Sequence, residues 1–167
     1  MMLQAFDDQK RQVVFIHPQC FLRLVLVVLA FVGCADSVRH DETLAAKRAL
    51  EFTRVAFIDK NLDKAYELLS DGGKRHVPLD KFKQSIAAMH PRGYPTKMTA
   101  IEYEPMPGEK AIYIFMKGQN SEDQFGYRIT LEGSADTDYR VLKVDQGSGF
   151  PSLSNQKRAF TNPPSAP

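Results

Sequence analysis

The chain has 167 residues, with 22 lysines and arginines against 20 aspartates and glutamates and a formal net charge of +2. That balance leaves no basic stripe of the kind nucleic acid demands, so nucleic acid is not expected as a partner. Lys74, Arg75, Lys81 and Lys83 are dispersed among acids and read as a solvated face.

In chain order, the first informative stretch runs from Leu24 to Val32, preceded by Arg23 and followed by Gly33-Cys34. A transmembrane helix needs about 20 consecutive apolar residues to cross a ~30 Å hydrocarbon core. This run is about half that length, and Asp36, Arg39, His40 and Asp41 follow it at once. A buried core helix would be oddly rich in valine. A cation, a short apolar run and a small residue before a cysteine describe a secretory signal.

The stretch resembles the lipobox of bacterial lipoproteins, which signal peptidase II cuts before a cysteine that carries diacylglycerol. The resemblance implies a signal peptide over residues 1–33, lipid attachment at Cys34 and anchoring to a membrane of the bacterial cell envelope through that lipid. Ala35 in place of an aspartate points, by the same resemblance, to the outer membrane facing the periplasm. Phe31 departs from the leucine, valine or isoleucine usual at its position. Residues 1–22 are long for the leading part of a signal, and no methionine lies between Met2 and Met89. A start at Val13 or Val14 would give a signal of ordinary length. Cys20 would leave with the signal, so the mature chain is expected to hold no disulfide. A Cys20–Cys34 bridge would instead require the apolar run to fold within a domain.

After a polar tether over residues 34–40, Asp41 reads as the N-cap of a helix reaching about Asp59. Ala45, Ala46, Ala49, Leu50, Phe52, Ala56 and Phe57 share one arc of it, opposite Lys47, Glu51 and Arg54. Asn61 caps a shorter helix with Leu62, Ala65, Tyr66 and Leu69 on one side, ended by Asp71-Gly72-Gly73. Pro78 opens a third, with Leu79, Phe82, Ile86 and Met89 as its buried stripe, broken at His90-Pro91.

The period then changes to two. Ile101 and Tyr103 alternate with Glu102 and Glu104. Ala111 to Met116 is apolar on both faces, which predicts a central strand, and Phe125, Tyr127, Ile129 and Leu131 alternate with polar residues. Tyr139 to Val144 returns the chain. From Gly147 the apolar pattern stops, predicting a flexible tail over residues 147–167. Three helices followed by a curved antiparallel sheet of about four strands define an α+β domain over residues 41–146, with the helices on one face.

The long first helix, the segment from Asn61 to Ser70 (Asn-Leu-Asp-Lys-Ala-Tyr-Glu-Leu-Leu-Ser) and the Leu-Asp-Lys-Phe-Lys at 79–83 make the order similar to the nuclear transport factor 2-like superfamily, a cystatin-like α+β cone. The resemblance implies a cone between sheet and helices, in whose enzymes an acidic or histidine base sits. No aspartate or histidine falls at an inward register here. His76 and His90 read as loop residues flanking the third helix, and His17 and His40 lie before the domain. No histidine has metal-type spacing, so no metal, cofactor or catalytic residue is expected. Tyr66, Tyr103, Tyr113, Phe115 and Tyr127 are the ligand-pocket candidates, weighed against ordinary core and cross-strand roles. Arg128 faces away from the Phe125–Tyr127–Ile129 row; it binds an anion if that polar face is the concave one, and otherwise reads as a solvated surface arginine.

Two functions compete, beside a third class, a structural adaptor that would use an exposed apolar surface and no pocket. One is a non-catalytic, lipid-anchored envelope lipoprotein that binds a small molecule or an envelope protein. The other is a small cone-pocket enzyme of isomerase, dehydratase or hydrolase type. The absence of a base at an inward register favours binding. One apolar face of Ala111–Met116 needs the helices as its cover and the other a partner, a second copy or the curled ends of the same sheet; among these the resemblance implies a sheet-mediated homodimer or hetero-complex.

Overall fold

The computed structural model describes residues 38–166. Cys34, the apolar run and the segment before it lie outside the described residues. Helix α1 (Glu42–Thr53) is capped by Asp41, whose carboxylate accepts from the Leu44 amide at 2.9 Å. It continues into a π-helical turn, Arg54–Ile58. The Thr53 hydroxyl donates back to the carbonyls of Ala49 and Leu50, a bond that bends helices, and the backbone then widens so that the Asp59 amide reaches Arg54. Asn61 caps α2 (Leu62–Glu67).

The Gly72-Gly73 pair does not end that helix, as its composition predicts. Ser70 caps a further short helix, α3 (Asp71–His76), by accepting from the Gly73 amide at 3.0 Å. The glycines allow close approach: a Cβ on Gly73 would stand 3.0 Å from the Leu142 carbonyl oxygen and 3.1 Å from that of Val141. Helix α4 (Leu79–Met89) follows Pro78.

Four long antiparallel strands form the sheet: β1 (Lys97–Pro105), β2 (Ala111–Gln119), β3 (Gln124–Ser134) and β4 (Asp138–Gln146). Their order is β4-β3-β2-β1, and extra residues at Ile101 in β1 and Leu142 in β4 curve it. The fold is therefore α+β, as the change of period predicts. Helix α1 touches all four long strands. Met98, Ala100, Ile112, Ile114, Met116, Tyr127, Ile129, Leu131 and Val141 face it and are buried.

The last residues correct the expectation of a flexible tail. Two short strands, β5 (Arg158–Ala159) and β6 (Ser165–Ala166), pair with β1. Between β4 and β5 the chain crosses the sheet face remote from the helices. There Phe150 packs on Phe115, and the Lys157 ammonium sits 4.1 Å from the centre of the Phe115 ring. Phe160 packs on Tyr103.

A carboxylate fastens this strap. Glu104, 1% exposed, accepts at Oε1 from the hydroxyls of Ser152 and Ser154 and from the amides of Leu153 and Ser154, at 2.6–2.8 Å. Its Oε2 is buried without a partner among the described residues. Burial pushes the carboxyl up, but the bonds from Ser154, Ser152 and Leu153 outweigh it and hold Glu104 below the ordinary carboxylate value. The docking reason is distant in sequence: composition predicts disorder, but a buried acceptor on β1 and the rings of Phe115 and Tyr103 supply what the C-terminal segment lacks.

Glu104→Ala is expected to lower unfolding free energy by about 3 kcal/mol at neutral pH. Because the folded-state pKa is depressed, the contribution is present above the unfolded value of 4.5 and is lost as pH falls through the folded value. Urea denaturation of the wild type and variant from about pH 7 to about pH 3 checks this, their difference shrinking with acid.

Candidate binding cleft

β4 is the free edge of the sheet. Its first half is bridged by Leu69, with the Ser70 amide donating to the Val141 carbonyl and the Val141 amide to that of Leu68. After Leu142 the helices part from the strand, leaving a cleft of about 620 Å³. Volumes of about 300–1,000 Å³ are usual for small-ligand sites.

One wall is apolar, made by Val77, Phe82, Ile86 and Met89 from the helices and Val144 from β4. The other belongs to the opposite sheet face, with Tyr113, Arg128, Thr130, Lys143 and Asp145. Met106 and Glu109 on the β1–β2 turn close one end. His76 also borders the cleft, its Nδ1–H donating to the Gly72 carbonyl at 2.7 Å.

Arg128 is not the solvated arginine its alternation predicts. Its guanidinium lies 5.2 Å from the centre of the Tyr113 ring and 5.1 Å from that of Phe150. It donates to Asp145 at 2.9 Å, and Lys143 reaches the same carboxylate at 2.7 Å. Burial raises the Asp145 pKa, but its bonds to Lys143 and Arg128 prevail and keep it below the ordinary value. It is a fixed anion between two cations, poorly suited to take a proton.

The aromatic candidates do not share one cavity. Tyr113 lines the cleft, and Phe115 lies beneath the strap. Tyr66 fills the space between α2 and α4, packing on Phe82 and donating to the Val77 carbonyl at 3.1 Å. Tyr103 faces the helix side and meets Phe160, and Tyr127 is core. The period of two separates them: Tyr113 and Phe115 point away from the face that holds Ile114 and Tyr127.

One inward histidine escapes the sequence reading. His90 follows α4, is 5% exposed, and is boxed by Phe57, Tyr94 and Phe125. Its Nδ1–H donates to the Ile86 carbonyl at 2.8 Å, so Nε2 accepts from the Tyr127 hydroxyl at 2.7 Å. Its partners come from distant segments, and the only local signal is its place at a helix end before Pro91. Burial pushes His90 down and Tyr127 up. The pair lies outside the cleft.

Among the described residues no group of three histidine, cysteine or acidic side chains is placed to hold a metal. None of their helices is long and apolar enough to cross a membrane. No family model, curated protein or solved structure matches the chain.

Tyr127→Phe leaves His90 Nε2 buried and unpaired and is expected to cost about 1–3 kcal/mol, read by urea denaturation. In the wild type the depressed His90 pKa means the unfolded state binds more protons, so stability falls as pH drops below 6.5. A Tyr127→Phe variant as stable as the wild type contradicts this pairing.

Proposed function

We propose that the chain is a bacterial envelope lipoprotein: cut before Cys34, lipidated there, and facing the periplasm from the outer membrane. Its domain is read as a nuclear transport factor 2-like cone that binds rather than catalyses. Helices followed by a curved antiparallel sheet support the cone reading. The cleft along β4 carries the binding reading. It is open and largely apolar on one wall, and Asp145 within it is held ionised by two cations. His90, Tyr127, Tyr139 and Glu104, which burial perturbs elsewhere, are engaged by their own partners away from it.

The strap bears on which surfaces of the domain are free to meet a ligand or envelope partner. On the outer face of β2, expected to recruit a second copy, Phe115 is covered by Phe150 and Lys157, while Tyr113 borders the cleft. The cleft beside the second half of β4 stays open.

Two measurements test the proposal. Metabolic labelling with an alkynyl fatty acid is expected to mark the wild type and not Cys34→Ser, and equal labelling overturns the anchor. In the cleft, Met89→Trp fills apolar space and is expected to weaken binding of a naphthalene-sulfonate fluorescent probe about tenfold. Unchanged binding of the probe overturns the cleft.

A further inference from the structure

We propose that the open edge of β4 is a strand-addition site: an extended peptide segment of a partner protein pairs with residues 143–146. Its alternate apolar side chains enter the space beside α4, and its intervening acidic ones meet Lys143 and Arg128. The proposal rests on the binding reading above and names the ligand.

β4 terminates the sheet, and among the described residues its outward pairing stops at the Leu69–Val141 bridge. No backbone hydrogen bond runs outward from residues 143–146 among the described residues. The length left open is about 13 Å at ~3.3 Å per residue, room for one short strand. Unpaired edge amides and carbonyls are a template for such pairing.

The walls of the cleft decide between a compact ligand and a strand. Phe82, Ile86 and Met89 belong to the helix side of the sheet, whereas Arg128 and Tyr113 belong to the opposite side. A compact molecule meets one face of a sheet. A cavity that follows the edge and shows both faces fits a ligand whose side chains alternate between them.

Two usual guards of an edge are present, the Leu142 bulge and Lys143. A guarded edge does not require a 620 Å³ apolar-walled space beside it, and here there is one. Charge sets the composition of the polar positions. Asp145 answers one of its two cations, leaving a positive excess beside Lys143, whose side chain is 64% exposed. Glu109 lies on the turn at the other end, so the acidic positions of the peptide belong near Lys143.

The probe is a capped peptide of about seven residues, valine or leucine alternating with glutamate, followed by fluorescence anisotropy with the full chain in detergent. Saturable binding is expected. N-methylation of the backbone amides on one edge of the peptide should weaken it at least about tenfold, while the same change on the other edge should not. Lys143→Glu should weaken it similarly, with recovery when the peptide carries lysine in place of glutamate. No binding, or binding indifferent to N-methylation on either edge, overturns the proposal. If the peptide fails while the naphthalene-sulfonate probe still binds with sensitivity to Met89→Trp, strand addition is wrong and the cleft reading stands. If both probes fail, the cleft reading falls as well.

Discussion

Strand β2 carries apolar side chains on both faces, Ile112, Ile114 and Met116 towards the helices and Tyr113 and Phe115 away from them. Helix α1 and the helices after it can cover only one side. Leaving a phenylalanine in water forfeits about 1.5–3 kcal/mol, so the second face needs a cover of its own. Phe115 is only 3% exposed because the chain folds its own C-terminal region back over it.

That cover has little apolar content, which is why its attachment is polar. Glu104 gathers four donors onto one oxygen, and β5 and β6 satisfy part of the open edge of β1. The Lys157 side chain bridges Glu102 at 2.8 Å and the face of Phe115. The strap also reaches the cleft, because Phe150 stacks on the guanidinium of Arg128. The second half of β4 is left as an unsatisfied edge of the sheet.

The elements were largely legible because their signals are local. The Asp41 and Asn61 caps, the stripe of α4 and the two-sided β2 need only neighbours in sequence. Gly72-Gly73 misled because a glycine pair reads as a stop, whereas close packing against β4 makes it part of a helix. The strap was hidden for the opposite reason. Its order depends on Glu104, which alternation alone assigns to solvent. His90 and Arg128 were missed because burial arises from rings on other segments. The cleft depends on which strand ends the sheet, a property of topology that no local pattern carries.

Hydrogen–deuterium exchange on the full chain, resolved to single amides near neutral pH, tests the self-covered sheet most directly. The amides of Leu153 and Ser154 donate to Glu104 in a region whose composition resembles an unfolded tail. They are expected to exchange as slowly as amides within β1, and to reach the rate of a free chain in Glu104→Ala. Free-chain exchange of these two amides in the wild type would show the outer face of β2 uncovered and contradict the account.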